Sequence, residues 1–393
     1  MSFEWVNFVD VVDCFDSVRV PLSTKERLNL SKKYPYYGAQ GIIDYVDDYL
    51  FDGEYILLAE DGENLRSKKQ PISQLASGKF WVNNHAHIYQ AKRFTSNLYI
   101  CAALNYVDIN PFITGAAQPK LSQNSLKYLK IPFPDFKTQQ FICLILGSIE
   151  KKILILTKLC NEYEKLINKI YQEWFVNFKF PNHEQVESVD GIPKGWVRKS
   201  IFESYEILSG GTPKTTNPQY WDNGKIPFFT PKDATDSYFV NETEKYITEQ
   251  GLSKCNSKLY DENTIFITAR GTVGKISIPM RPMAMNQSCY ALKPKADLCF
   301  YYSFLNIEDA INKIKQNANG GVFDAIVVDT FKQIDVLVPH MEIQVQFENL
   351  VQPMFEQIKN LLKQNEHLLD LKHTLLPRLM SGELDVSKLS SIE

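Results

Sequence analysis

Seven short segments of this chain combine basic, amide and hydroxyl side chains between apolar runs. Lys, Ser and Thr hold phosphates together with backbone amides, while Arg, Asn and Gln pair bidentately with base edges. The candidates in the second half of the chain are Thr212, Lys214, Thr215, Lys232, Arg270, Thr272, Lys275, Asn286 and Gln287. Those in the first half are Arg66, Lys68, Lys69, Asn84, His85, Gln118 and Lys120. One such loop is usually plain surface, but their occurrence in both halves favours contacts with nucleic acid.

Two motifs are similar to enzyme motifs but lack residues on which the enzyme chemistry depends. Asn217-Pro218-Gln219-Tyr220 is close to the Asn-Pro-Pro-Tyr tetrapeptide of amino-methyltransferases, but it follows no predicted strand and no Gly-rich cofactor loop. The segment 271–277 is close to a phosphate loop, but Ala269 replaces its first Gly and Ile276 its metal-binding hydroxyl. We therefore predict a turn and a hairpin with a basic tip, and no catalytic residues.

His85 and His87 are the nearest approach to a metal site. No Cys or acidic residue lies at ligand spacing from them, and the other four His are remote in sequence. We therefore expect no metal site, and a surface strand with two exposed imidazoles.

The elements that position these loops occur twice, about two hundred residues apart. The recurring pairs are Trp5 with Trp196, Phe51 with Tyr260, Asn84 with Asn286, Ile131 with Val338, and Gln140 with Gln346. Short apolar runs such as Tyr55–Ala59 and Phe80–Val82 predict strands in the first copy, and 97–106 predicts a helix. Runs 226–229, 264–267 and 336–338 predict strands in the second copy. We predict an α/β (α+β) fold with two similar globular domains, residues 1–135 and 181–340.

A long helix is predicted after each domain, over 136–180 and from residue 341, with a docking tail completing 341–393. Apolar residues alternate at spacings of four and three along the first helix, which is the heptad pattern of a helix with a helical partner. Some 40 residues would extend about 60 Å. The second helix should end near Leu376-Pro377. We predict a seam of Ile149, Ile153, Leu156, Tyr163, Ile167 and Ile170 with Met354, Ile358, Leu361, Asn365 and Leu368, where Asn365 could fix the register.

Composition limits the classes of protein to which the chain can belong. The 393 residues are 44% hydrophobic, and no apolar run reaches the roughly 18 residues of a membrane span. The N-terminus lacks a secretory pattern, and the seven cysteines include no Cys-x-x-Cys, so we expect a cytoplasmic protein without structural zinc. The net charge of −3 is no signal for nucleic acid over the whole chain, although the two predicted helices carry opposite net charges.

Four stretches together resemble the specificity (S) subunits of type I restriction-modification systems. Residues 208–228 are similar to the opening of a target-recognition domain, and 267–288 to its middle. Residues 174–178 and 375–384 are similar to the ends of the two helices. The first domain departs from the pattern, since Ser-Val-Arg-Val-Pro-Leu at 17–22 replaces the Gly-Gly-Thr-Pro opening. Its central loop, 59–63, has no basic residue matching Arg270, which suggests a different half-site.

The resemblance implies a non-catalytic reader of double-stranded DNA. Each globular domain would contact one half of a split site, and the two helices would pair antiparallel, set the gap and dock two modification (methyltransferase) subunits. This chain would bind no cofactor. The assembled complex would be an adenine-specific DNA methyltransferase and ATP-dependent endonuclease, with S-adenosylmethionine, ATP and Mg in the modification subunits and any motor-nuclease subunits. The alternative is a non-catalytic two-domain coiled-coil scaffold that binds proteins or glycans.

Overall fold

The structure of the protein is a computed structural model that describes residues 3–28, 30–115, 118–317 and 325–386. The chain forms two compact units. Unit 1 is Met1–Leu154 with Glu366–Glu393, and unit 2 is Ile155–Asn365. Each unit thus contains one of the two globular domains predicted from sequence, and part of both long helices. The predicted domain limits at residues 135, 180 and 340 stay predictions.

The first half of the chain consists of short strands and helices followed by one long helix. Its strands are β1 Glu4–Asn7, β2 Val12–Cys14, β3 Tyr34–Gly38, β4 Gly41–Val46, β5 Phe51–Ala59, β6 Ser73–Val82, β7 Ala86–Ala91, β8 Ile113–Thr114, β9 Lys120–Leu121 and β10 Lys130–Phe133. Its helices are α1 Thr24–Arg27, α2 Asn64–Ser67, α3 Asn97–Tyr106, α4 Gln123–Leu126 and α5 Phe136–Tyr171.

The second half follows the same plan. Its strands are β11 Ser188–Val189, β12 Ile192–Pro193, β13 Val197–Ser200, β14 Tyr205–Ser209, β15 Ile226–Phe229, β16 Phe239–Val240, β17 Tyr246–Ile247, β18 Ile265–Thr268, β19 Ile276–Pro279, β20 Ala284–Met285, β21 Cys289–Pro294 and β22 Asp335–Val338. Its helices are α6 Ile201–Ser204, α7 Glu249–Ser253, α8 Phe300–Asn317, α9 Val328–Gln333 and α10 Met341–Met380.

The core of unit 1 lies on both faces of a sheet with strand order β2-β7-β5-β6-β3-β4. Successive side chains of a strand point to opposite faces, so Ile56 and Leu58 of β5 join one apolar cluster and Leu57 joins another. Helix α3 forms where the sequence predicts it, and Ser96 caps it by accepting the N–H of Tyr99 at 3.2 Å. The sheet is therefore covered on both sides, which explains the continuous buried run at the end of β5.

Unit 2 contains a sheet of order β14-β21-β18-β19-β16 and a smaller one of order β17-β15-β20. The predicted strands at 226–229, 264–267 and 336–338 are confirmed as β15, β18 and β22, with β18 displaced by one residue. Strands β18 and β19 are antiparallel and adjacent in sequence, which confirms the predicted hairpin. Asn217 caps a short 3-10 turn at Pro218–Tyr220, as predicted for that motif.

The internal repeat is confirmed strand by strand, with corrected pairings. Glu4 opposes Phe133 in unit 1 as Val197 opposes Val338 in unit 2. Gln139 donates to the carbonyl of Pro134 as Gln344 does to that of Pro339, both at 2.9 Å, so Phe133 matches Val338. Trp5 then matches Arg198 by register. The predicted matches of Trp5 with Trp196 and of Ile131 with Val338 are each wrong by two residues, and that of Gln140 with Gln346 is wrong by one. The two tryptophans also differ in environment, since Trp5 is 50% exposed and Trp196 is buried. Aromatic identity misled the alignment because the repeat conserves backbone pairing more closely than side chains.

The long helices pair antiparallel within unit 2. Tyr171, at the end of α5, has its ring 6.4 Å from that of Phe347, near the start of α10. Thr157, earlier on α5, accepts a hydrogen bond of 3.0 Å from Asn365, later on α10. In unit 1, Glu150 of α5 and Lys372 of α10 form an ion pair of 2.8 Å. Residues later in α5 contact residues earlier in α10, as expected for the predicted antiparallel seam.

The predicted seam residues fall into two groups by exposure. Ile149, Leu156, Ile167, Ile358 and Leu361 are buried. Ile153, Tyr163, Ile170, Met354, Asn365 and Leu368 are half-buried.

Both helix ends differ from the sequence prediction. Helix α5 ends at Tyr171 and continues as a π-helical turn to Val176, short of residue 180. Helix α10 passes through Pro377 to Met380. The last turn persists because Leu379 and Met380 are buried in the core of unit 1, and tertiary packing outweighs the local cost of proline. Of the predicted docking tail, residues 387–393 lie outside the described residues. In the part of the chain that the structure describes, no helix is long and apolar enough to cross a membrane.

Candidate nucleic-acid interface

The loops singled out in the second half of the chain converge at one edge of the unit 2 sheet. Two glycines after β14 make this possible. A Cβ at Gly210 would lie 2.0 Å from the carbonyl oxygen of Asn286, and one at Gly211 would lie 2.6 Å from the amide nitrogen of Asn256. Any larger residue would push the loop away, so the Gly-Gly of the sequence motif is required by a close approach of two backbones.

Side chains then join the loops. Thr212 donates a hydrogen bond to the side chain of Gln287. Thr272, in the β18–β19 hairpin, donates to the carbonyl of Pro231 at 3.0 Å. Lys232 follows Pro231 in the chain, and the N–H of Ala269 donates to the carbonyl of Ser288 at 2.7 Å, so four of the predicted segments share one surface. The structure thus brings together residues that are up to 75 positions apart in sequence.

Cationic side chains on this surface differ in their availability. Lys214, Lys232 and Arg270 are exposed, and within the described residues none of the three has an ion-pair partner. Lys275 forms an ion pair with Asp236, which neutralises it. Thr215 lines a shallow pocket with Trp221, Lys245 and Tyr246. Three unpaired cations beside hydroxyl and amide groups are suited to phosphates and base edges.

Unit 1 reproduces the framework of this surface. Asn83 Oδ1 accepts the N–H of His85 at 2.8 Å, as Asn286 Oδ1 accepts that of Ser288 at 3.0 Å. The N–H of Asn83 donates to the carbonyl of Tyr37 at 3.0 Å, as the N–H of Asn286 donates to Phe229 at 2.9 Å. Asn83, and not Asn84, is therefore the counterpart of Asn286, which corrects the predicted match by one residue.

The side chains on this shared framework differ between the units. Cys14 of β2 matches Ile207 of β14 by register. Arg19 and Thr212 each follow five residues later, and Arg19 donates to the carbonyl of Ala86 at 2.7 Å. Arg19 also forms ion pairs with Glu60 at 2.8 Å and Asp16 at 3.2 Å. Unit 1 thus has a buried ionic network where unit 2 has the neutral Thr212–Gln287 contact.

His87 lies at the centre of this network, and the prediction that it is exposed is wrong. Its Nδ1 faces Asp16 at 2.6 Å and its Nε2 faces the carbonyl of Leu121 at 2.7 Å, so an imidazole with both N–H groups satisfies both acceptors. Burial disfavours the Asp16 carboxylate, but hydrogen bonds from His87 and Gln123 outweigh it and lower the pKa of Asp16. The network is therefore charged and internally paired.

Asp16, Glu60 and His87 also have the ligand types of a cation site, with their ligand atoms within 4.8 Å of one another. No sequence spacing suggested this, because Asp16 and His87 are 71 positions apart. The guanidinium of Arg19 already supplies the positive charge between both carboxylates. We therefore interpret the cluster as a salt-bridge network.

The remaining candidate DNA-binding residues of unit 1 lie in two different places. Asn84 accepts from Arg19 through its carbonyl at 3.5 Å, and Lys120 pairs with Glu60 at 3.2 Å, so both lie at the edge of the sheet. Gln118 is exposed in the loop beside Lys120. Arg66 donates to the carbonyl of Gly115 at 2.9 Å.

Lys68 and Lys69 instead line a cavity of about 350 Å³ together with residues of α3, α5 and α10. These lysines were predicted beside the edge residues because their loop, 66–70, has a similar mix of basic, amide and hydroxyl side chains. Arg19 was not among the predicted residues, and its signal in the sequence is its place in the segment that replaces the Gly-Gly-Thr-Pro opening.

Comparisons with known proteins agree with this architecture. A family model described as the type I restriction modification DNA specificity domain matches residues 4–165 and 193–368. The chain is 28% identical over 286 residues to the type I restriction enzyme MjaIX specificity subunit of Methanocaldococcus jannaschii, covering 70% of this chain and 65% of that subunit. It is 23% identical over 329 residues to the HindI specificity subunit of Haemophilus influenzae, covering 68% and 71%. The matched region thus spans about two thirds of each relative.

A solved structure shows the same fold. The crystal structure of a type I restriction-modification S subunit from M. genitalium superposes with a TM-score of 0.57 at 16% sequence identity, covering 96% of each chain.

Proposed function

Because the chain belongs to the family of type I restriction-modification specificity subunits, we propose that it reads a bipartite site in double-stranded DNA, one half with each recognition unit. The observation that carries the proposal is the shared framework around Asn83 and Asn286. In both units it presents a sheet edge bearing basic, amide and hydroxyl side chains. The different side chains on that framework support two different half-site sequences.

Unit 2 carries the stronger electrostatic signature for DNA. The unpaired cations Lys214, Lys232 and Arg270 would hold phosphates or a guanine edge. Unit 1 has fewer free cations at its edge, since Arg19 and Lys120 are bound to Glu60. We therefore assign a larger share of the salt-dependent affinity to unit 2.

We also propose that α5 and α10 dock two modification (methyltransferase) subunits, and that this chain itself is not catalytic. Large aliphatic side chains remain exposed on both helices: Leu144, Leu154, Ile155, Leu159 and Leu166 on α5, and Val345, Leu350, Leu369 and Leu371 on α10. Ile155, Leu159 and Leu166 are spaced by four and seven positions and so lie on one face of α5, and a contiguous exposed apolar face marks a protein interface. The partner subunits would supply S-adenosylmethionine chemistry, and motor-nuclease subunits would add ATP- and Mg-dependent cleavage.

The test is selection of bound duplexes from a random library by the chain assembled with its modification subunits. The expected result is two short conserved half-sites separated by an unselected gap. Affinity for the selected duplex should fall steeply and linearly in a plot of log affinity against log salt concentration, because bound phosphates release counterions. A library that stays random, with an affinity insensitive to salt, would instead support the protein- or glycan-binding scaffold.

A further inference from the structure

Besides Arg19 and Thr212, the sheet edges of the two units that carry the candidate DNA-binding side chains differ at two further matched positions. Ala59 opposes Ala86 across β5 and β7, as Thr268 opposes Cys289 across β18 and β21. The following residues make the same backbone hydrogen bond, from Glu60 N–H to His85 at 2.9 Å in unit 1 and from Ala269 N–H to Ser288 at 2.7 Å in unit 2. Asp61 therefore stands where unit 2 has Arg270, and His85 stands where it has Ser288.

These matched positions carry opposite chemistry. Arg270 presents an exposed guanidinium, the group that pairs with guanine O6 and N7. Asp61 presents a carboxylate, which by itself would repel a DNA backbone. Its Oδ2, however, lies 2.7 Å from Nδ1 of His85, and the Asp61 side chain is only 18% exposed. The side chain turned toward solvent is the imidazole of His85, which is 48% exposed.

His85 is held at three points. Asn83 Oδ1 accepts its N–H at 2.8 Å, its carbonyl accepts the N–H of Glu60 at 2.9 Å, and Asp61 binds Nδ1 of its ring. Nε2 is left without a hydrogen-bond partner among the residues that the structure describes. A ring with a fixed backbone and one free nitrogen can make a single directed hydrogen bond at low entropic cost.

We propose that His85, oriented by Asp61, reads one base pair of the half-site bound by unit 1, in place of the arginine contact proposed for unit 2. Asp61 is a positioning residue in this arrangement, and it touches the ring rather than the DNA. The inference rests on the proposed function, since it presumes that this edge faces DNA. It explains how a recognition domain without a counterpart of Arg270 can still select a sequence.

The experiment is site selection with the complete complex carrying His85→Ala, Asp61→Ala or Asp61→Asn. His85→Ala should abolish selection at one position of the first half-site, leave the second half-site unchanged, and lower affinity for the wild-type site by roughly tenfold. Asp61→Ala should weaken selection at the same position. Asp61→Asn should retain it, because the amide oxygen still accepts from Nδ1–H. Asp52→Asn, which removes an exposed carboxylate elsewhere in unit 1, is the charge-matched control and should change nothing.

A gain of function completes the test. The double change Asp61→Arg with His85→Ser reproduces the pair found in unit 2 and should create a preference for guanine at that position. If His85→Ala kept every selected position, the inference would fail while the bipartite reader stood. If wild-type complex selected no sequence, the proposed function itself would fail. Thermal unfolding of each variant separates loss of contact from loss of fold.

Discussion

Asn83 and Asn286 make the same hydrogen bond in two units of different sequence. Each side-chain oxygen accepts the backbone N–H two residues later, at 2.8 and 3.0 Å, and so closes a turn immediately before a central strand. The turn carries His85 in one unit and Ser288 in the other. The amide is thus a structural part of both sheet edges, whereas the residue two positions later differs between the units.

The turn gives the first prediction. Asn286→Ala should destabilise unit 2 by about 1 kcal/mol, because the partly buried N–H of Ser288 loses its acceptor. Asn286→Asp should retain most of the stability, since a carboxylate oxygen can accept the same hydrogen bond. Chemical denaturation of the two variants against wild type measures this. Equal stability of Asn286→Ala and wild type would show that the turn holds without its side chain.

The exposed cations of unit 2 give a second prediction. Arg270→Ala should relax selection at one position of the second half-site and cost about 1–3 kcal/mol of binding, as expected for a bidentate base contact. Lys214→Ala should weaken all sequences alike and lower the salt slope by about one, as expected for a phosphate contact. Site selection and binding at several salt concentrations distinguish the two.

Arg198→Ala is the matched control, because Arg198 lies on β13, outside the converging loops. It should leave both selection and salt slope unchanged. Our assignment of the unit 2 edge would be wrong if Arg270→Ala behaved like this control.

The buried network of unit 1 gives a third prediction. Asp16→Asn should destabilise the protein by about 3–5 kcal/mol at neutral pH, because Arg19 and His87 lose a buried carboxylate partner. Asp13→Asn removes an exposed carboxylate 3.9 Å from Lys92 and should cost less than about 1 kcal/mol. Urea denaturation at pH 7 compares them, and similar losses for both would mean that the network does not stabilise the edge.

The effect of Asp16 should depend on pH in a defined direction. Burial opposes its ionisation, but hydrogen bonds from His87 and Gln123 hold its folded-state pKa below the ordinary value of 3.8. A lowered pKa stabilises the fold above the unfolded-state value, and this contribution is lost as pH falls through the folded-state value. The difference between wild type and Asp16→Asn should therefore be full at pH 7 and shrink below about pH 4.

A fourth prediction concerns two glutamates of unit 2. Burial, together with the nearby charge of Glu164, raises the pKa of Glu308 on α8 to about 7. Glu164 on α5 accepts hydrogen bonds from Ser237 and from the backbone of Tyr238 at 2.9 and 3.0 Å. A raised pKa means that stability is complete below the ordinary value of 4.5 and is lost as pH rises through 7.

Glu308→Gln should remove this loss. Relative to wild type it should gain on the order of 2 kcal/mol at pH 8, since each unit of pKa shift corresponds to about 1.4 kcal/mol, and gain little at pH 5. Urea denaturation across this range measures the difference. Glu342→Gln, at an exposed position of α10, serves as control, and parallel pH profiles for wild type and Glu308→Gln would contradict the prediction.

The sequence by itself determined the repeat, the two long helices and most strands of the recognition folds. These features depend on periodicity and on turn residues, which act over a few positions. Helix α3 and strand β15 begin and end where local pattern places them. The Gly-Gly loop after β14 was also visible, because only glycine tolerates the approach of Asn286 there.

Tertiary structure decided what local pattern cannot encode. His87 is buried because Asp16, 71 residues earlier, accepts from its ring, and no spacing rule connects the two. Helix α10 continues through Pro377 because the core of unit 1 buries the following turn. The lack of a basic counterpart to Arg270 was visible in the loop 59–63, whereas the contact between Asp61 and His85, 24 residues apart, depends on the pairing of β5 with β7. Long-range packing and hydrogen bonding decide these features, because their free energies exceed those of the local conformational preferences. Predictions from sequence depend on the local preferences alone.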